Sequence, residues 1–151
     1  MTNNKEDVYQ QQMLSHHKQP VGFEMVINAT AQAEGENANC GDEITIFIEI
    51  DEEDINRVKR IAFNGDSCAI CRASASILCQ QLSQQSIDDV EQSSREIIRR
   101  LTINKVFDIN GLVKAYQALS IVNKYPIRKQ CAVLPWTTLQ AALTAYKNKS
   151  E

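Results

Sequence analysis

The most regular stretch of the chain is "EITIFIEID", where Ile44, Ile46, Ile48 and Ile50 alternate with Glu43, Thr45, Phe47, Glu49 and Asp51. A period of two puts each set on its own side of a pleated strand, so this segment reads as a half-buried strand. "EEDIN" reads as a turn, and "RVKRIAFNG" alternates again into a strand carrying Ile61 and Phe63. Upstream, Glu24 to Ala33 alternates more loosely, with Phe23, Met25 and Ile27 on one side, and reads as a first strand. The cluster of turn-forming residues in "AEGENANCGD" reads as the loop after it. Three successive strands with short connections predict an antiparallel meander that leaves one face for helices.

From Cys68 onward the pattern becomes helical. Ala69, Ala73, Ile77 and Gln80 recur at helix spacing, with Ile70 and Leu78 alongside. Ser86 followed by Asp88 and Asp89 has the form of a helix cap with acidic first-turn residues, opening a helix whose stripe is Val90, Ile97, Ile98 and Leu101. "TINKVFDING" connects to a helix bearing Leu112, Ala115, Tyr116 and Leu119, and "NKYPIRKQ" breaks the pattern at Pro126. The last helix is expected from about Cys131, with Ala132, Trp136, Leu139, Leu143 and Tyr146 on one face. Pro135 limits where it can begin, since beyond the first turn a proline loses a ladder hydrogen bond and clashes. The first twenty residues carry only a weak stripe of Tyr9, Met13 and Leu14 before Pro20, and read as a short helix or a loose polar arm. Strands first and helices afterwards predict an α+β fold, a three-stranded antiparallel sheet covered on one face by about four to five helices.

At 151 residues and 43% hydrophobic content, residues 1–151 make one domain. A formal charge of -3 supplies no broad positive field, which excludes nucleic acid as the main partner. No run approaches the roughly 18 apolar residues of a membrane span, and "MTNNKEDVYQQQ" has no apolar signal core, so a cytoplasmic protein is expected. In that compartment the five cysteines, Cys40, Cys68, Cys71, Cys79 and Cys131, should be reduced thiols available for metal or sulfur chemistry.

Their positions differ. Cys40 falls in a loop, and Cys68 and Cys131 fall at helix entrances, where unpaired amides and the helix dipole favour thiolate. Cys79 sits mid-helix and reads as a packing residue. Cys71, one turn beyond Cys68, is open to three readings: helix packing, an auxiliary thiol, or a dithiol partner of Cys68. The parallel strand-helix-strand context of a redox pair is missing, which favours packing. Asp42 follows Cys40 by two residues across Gly41, so that the thiol and carboxylate can point into one pocket, while turn chemistry alone favours Asp42 as a cap or solvated residue of the loop. Lys124, Arg128 and Lys129 place positive charge before Cys131, either as a solvated loop or to meet an acidic partner surface or a thiolate. His16 and His17 lie in a weakly patterned setting and read as surface residues, with the edge of a pocket as the alternative.

"NANCGDEI", "FNGDSCAICRASAS" and "IRKQCAVLPWTTLQAAL", in this order and at these intervals, resemble the three cysteine motifs of the U-type iron–sulfur cluster assembly family, which includes IscU, SufU and the N-terminal part of NifU. "SHHKQPVG" is similar to that family's His-aromatic-x-x-Pro entrance, so the likeness spans nearly the whole chain. The resemblance implies a SufE/NifU-like fold and a metal site of Cys40, Asp42, Cys68 and Cys131, holding zinc or a transient [2Fe–2S] cluster. Cys71 stands where the family usually has serine, which leaves it out of the ligand set. Gln130 replaces the histidine of the scaffold branch, and "YPIRKQC" replaces its chaperone-read Leu-Pro-Pro-Val-Lys segment. With the long stretch between Cys68 and Cys131, these departures favour the SufU branch, although that branch usually has lysine at the place of Gln130.

By the same resemblance, the partners are a SufS-like cysteine desulfurase and recipient apo-proteins or carrier proteins. Cys40 is the expected sulfur acceptor, because a loop moves to meet a partner more readily than a helix entrance does. Two rival readings are a structural-zinc interaction module without sulfur chemistry and a thiol redox protein using Cys68 and Cys71.

Overall fold

The structure, a computed structural model, describes residues 4–103 and 105–150; residues 1–3, 104 and 151, which close the expected domain and fall within its polar arm and its "TINKVFDING" connection, lie outside them. In chain order the elements are α1 (Asn4–Lys18), β1 (Ala31–Asn37), β2 (Asp42–Ile50), β3 (Val58–Asn64), α2 (Ala69–Leu82), α3 (Ile87–Thr102), a one-turn α4 (Lys114–Gln117) and α5 (Lys129–Ser150). Two 3₁₀ segments, Ala118–Asn123 and Pro126–Arg128, lead into α5. The sheet is antiparallel in the order β1-β2-β3. This is the α+β meander that the strand-then-helix pattern predicts.

The isoleucine face of β2 is the floor of the core. Ile44, Ile46, Ile48 and Ile50 are all buried, and across the ladder Ile46 pairs with Phe63 and Ile48 with Ile61. Helix α2 lies at the centre of the helical layer: from Cys71 through Cys79 every residue except Arg72 is buried. It is therefore apolar nearly all round rather than on one stripe, and Ala69 and Gln80, expected on that stripe, are exposed. The Ser74 hydroxyl joins α2 to α5, donating to the Ala132 carbonyl at 2.6 Å and accepting from the Trp136 indole at 2.9 Å. Trp136 is completely buried and meets Tyr116 edge-on.

The first strand departs from expectation. Residues 24–30 are not its start but an extended segment along the sheet, with the Glu24 N–H on the Phe63 carbonyl, the Asn28 N–H on Glu49 Oε1 and the Thr30 N–H on the Ile48 carbonyl. The strand itself is "AQAEGEN", which overlaps the expected strand only at residues 31–33 and continues through residues 34–37, which sequence reading treats as loop. Its inward positions, Ala31, Ala33, Gly35 and Asn37, are small because α5 lies directly on them. A Cβ at Gly35 would stand 2.1 Å from Thr138 Oγ1, so glycine here makes room for a helix and does not mark a turn.

The C-terminal half departs in two places. Leu112 precedes the one-turn α4 in a turn closed by its own N–H on the Ile109 carbonyl. Helix α5 starts at Lys129, so Pro135 lies well inside it, where its missing N–H leaves the Cys131 carbonyl without the usual donor four residues on. The helix continues because the sheet and α2 hold it from the side. The connection before it is pinned by Arg100, which donates to the Asp108 and Asn110 carbonyls at 2.6 and 2.8 Å. Asn123 brackets both main-chain groups of the buried Phe107, at 2.7 and 3.1 Å.

The N-terminal segment is a helix docked on α2, the first of the two readings. Met13 is buried, Tyr9 donates to Gln117 Oε1 at 3.1 Å, and His16 Nδ1 lies 2.6 Å from Ser76 Oγ. His16 and His17 are both half-buried, which corrects the expectation of a surface role. Burial holds the His16 imidazole below its ordinary pKa.

Candidate metal centre

Three separate pieces of chain build the site. The first is the β1–β2 hairpin, whose end pair is Asn37 opposite Asp42 and whose loop is residues 38–41. The Cys40 and Gly41 N–H groups close that loop on the Asn37 and Ala38 carbonyls, and Gly41 supplies the positive φ of 70°. Cys40 thus rides on the tip, half-exposed, while Asp42 continues the inward face of β2 beside Ile44 and is 1% exposed.

The second piece is the loop from β3 into α2. Gly65 takes φ 126° and passes so near β2 that a Cβ would stand 2.2 Å from the Glu43 carbonyl. The Glu43 N–H then closes on the Asp66 carbonyl at 2.9 Å. This fold-back delivers Cys68 to Asp42: the Cys68 N–H donates to Asp42 Oδ1 at 2.7 Å, and the Cys68 thiol lies 4.0 Å from Asp42 Oδ2. Cys68 is also the cap of α2, its sulfur accepting the Cys71 N–H at 3.5 Å. The third piece is the first turn of α5, which carries Cys131, fully buried.

One ligand atom each from Cys40, Asp42 and Cys131 lies within 4.8 Å of the others. Cys68 stands just outside that group, with its thiol 4.0 Å from Asp42 Oδ2. Burial pushes the Cys131 thiol well above its ordinary pKa, and the nearby Cys40, Asp42 and Cys68 push it the same way. Left to themselves, these groups resist sharing charge in so small a space. A cation among them reverses the balance, because coordination deprotonates a thiol outright. Three sulfurs and a carboxylate are a donor set that tetrahedral zinc accepts, and the sulfurs also suit cluster iron.

The remaining predicted residues divide clearly. Cys71 is fully buried with its thiol raised by that burial, and Cys79 likewise, so both behave as core residues. Arg128 lies by the Cys131, Cys68 and Cys40 thiols, which hold its guanidinium more firmly charged, whereas Lys129 reaches the Lys105 carbonyl. His16 is engaged with Ser76, and among the described residues neither histidine belongs to the ligand group. One residue escapes sequence reading: Asn37, whose amide lies 3.7 Å from Cys131 Sγ. It sits in a run of turn-forming residues, and only its pairing with Asp42 reveals that it faces inward.

A family model for the NifU-like N terminal domain matches residues 8–151. The chain is 32% identical over 116 residues to the iron-sulfur cluster assembly scaffold protein IscU of Thermotoga maritima, covering 77% of this chain and 78% of that protein. It is 29% identical over 137 residues to the zinc-dependent sulfurtransferase SufU of Bacillus subtilis, covering 91% and 90% respectively. Among solved structures it is similar to the SUF-system protein FiSufU of Fervidobacterium islandicum AW-1, with TM-score 0.72, 27% identity, and coverage of 88% of this chain and 94% of that one. A NifU-like N-terminal structure from Brucella abortus, at TM-score 0.77 and 17% identity over 95% of this chain and 97% of that one, shares the fold.

Proposed function

The chain belongs to the family of NifU-like N-terminal domains, and from that premise we propose that it works in iron–sulfur cluster biogenesis, taking sulfur from a cysteine desulfurase at a Cys40–Asp42–Cys68–Cys131 metal centre. It passes that sulfur on as a carrier of the SufU kind, or collects it with iron as the cargo of a nascent [2Fe–2S] cluster for recipient apo-proteins. The observation that carries the reading is the convergence of two thiols and a carboxylate within 4.8 Å, with the third thiol beside the carboxylate.

The residues divide the work by position. Cys68 and Cys131, at helix entrances, and Asp42, on the strand, would hold the metal from the walls of the pocket. Zinc bound there would supply the positive charge that keeps the thiols deprotonated. Cys40, on the hairpin tip, is the nucleophile. Its thiolate attacks the outer sulfur of the desulfurase persulfide, a new S–S bond forms on Cys40, and the old S–S bond breaks with the desulfurase thiolate leaving. Charge and sulfur count balance without an added oxidant. Arg128, beside Cys131, favours the anionic forms on both sides of that exchange. Gln130 in place of histidine and the long connection from α3 to α5 favour the sulfur-carrier form over the scaffold form.

The test is desulfurase turnover with labelled cysteine. The reading expects faster turnover when this protein is added, with label on Cys40. Unchanged turnover and no label on the chain would leave only a passive zinc module and defeat the reading.

A further inference from the structure

The inward face of β1 is made of Ala31, Ala33 and Gly35, with no polar side-chain atom, and then of Asn37. Helix α5 packs on this face closely enough to exclude a Cβ at Gly35. A carboxamide at the end of such a stripe brings two N–H donors where the other side chains of the stripe bring none. Its Nδ2 lies 3.7 Å from Cys131 Sγ, within reach of an N–H···S hydrogen bond. A coordinated thiolate offers only lone pairs, so the NH₂ end of the amide is the end that satisfies it.

The side chain is not needed for the hairpin. It is the Asn37 main-chain carbonyl that closes the loop on the Cys40 N–H at 3.2 Å, a bond any residue could make. Its amide reaches the sulfur because the β1–β2 register sets Asn37 opposite Asp42, so that both side chains emerge on the inward face. One pair of residues thus supplies the pocket with an acceptor, the Asp42 carboxylate, and a donor, the Asn37 amide.

Resting on the reading of the pocket as a metal centre, we propose that Asn37 is a positioning residue that ties the Cys131 sulfur in place through an N–H···S hydrogen bond and so fixes Cys131 as the ligand held by the fold. An N–H given to a coordinated sulfur orients its lone pairs and lowers the energy of its donor electrons. Groups that support metal ligands in this way carry about 10- to 100-fold in metal affinity. Hydrogen bonds to cluster sulfurs also shift reduction potential.

The experiment titrates cobalt(II), a spectroscopic stand-in for zinc, into the full chain under anaerobic conditions, comparing wild type with Asn37→Ala and Asn37→Asp. Asn37→Ala is expected to keep the wild-type circular dichroism and one cobalt per chain. Its sulfur-to-cobalt charge-transfer band should move to longer wavelength and its affinity fall about 10- to 100-fold. Asn37→Asp, nearly the same shape with an acceptor facing the sulfur, should lose at least as much. It carries the test alone if the alanine variant does not fold. Wild-type band position and affinity in the folded variants would overturn the role of Asn37 and leave the metal centre standing. A wild-type chain that takes up no cobalt would overturn both.

Discussion

Cys131 and Cys40 supply sulfur to the same pocket from opposite kinds of ground. Cys131 stands on the first turn of α5, wholly buried, above a strand face so closely applied that glycine is required at position 35. The turns that follow it are locked by the Trp136–Ser74–Ala132 chain of hydrogen bonds. Cys40 stands on a loop whose own closing bonds are two main-chain contacts of 3.2 and 3.3 Å. On the proposed function, a site that grips an ion and also presents a sulfur to a desulfurase needs both behaviours. The contrast separates them by secondary structure: helix and strand ends hold, and the hairpin tip gives.

The comparison breaks first if the wall can be removed without consequence. Trp136→Ala should cost about 3–5 kcal/mol in urea unfolding, since it empties a fully buried site where α2, α4 and α5 meet. Zinc retention should fall with it, because Cys131 loses its footing. A smaller and sharper cut is Ser74→Ala, which leaves the Trp136 N–H and the Ala132 carbonyl without their shared partner. The expected loss is about 1–3 kcal/mol, read as a lower urea midpoint at unchanged slope. Smallest of all, Cys40→Ser should change the stability of the metal-free protein by no more than about 0.5 kcal/mol, as at sites outside the core. It should nevertheless abolish persulfide label on the chain as read by mass spectrometry. If Cys40→Ser unfolds the metal-free protein, or if label persists on Cys68 or Cys131, the division between holding and giving sulfurs fails.

How much of this is readable from the chain depends on where the information is stored. Strands β2 and β3 advertise themselves by alternation, and Ser86 caps α3 with its hydroxyl on the Asp89 N–H at 3.0 Å, as its spacing predicts. Cys68, expected at a helix entrance, is the α2 cap. The second half of β1 is hidden because its inward residues are small for the sake of helix α5, far along the chain, and small residues look like loop. Pro135 misleads in the same manner, since an interior proline is tolerated through lateral packing that no local rule registers. The candidate ligands are recognisable by three motifs, because Cys40, Asp42, Cys68 and Cys131 belong to short, chemically distinctive phrases. Asn37 is not, for its inward position comes from register, a property of two strands together.

That register has a further consequence. Successive residues of a strand face opposite ways, so Asn37 and Asp42 reach the pocket only while their count along the two strands keeps its parity. Lengthening the hairpin loop by a residue leaves that parity intact, whereas inserting one residue within β1 turns the amide outward to water. A second insertion beside the first would turn it back. The chemistry of the pocket is thereby written as odd or even positions along a strand, and evolution or an engineer can alter the loop's length far more freely than the strand's.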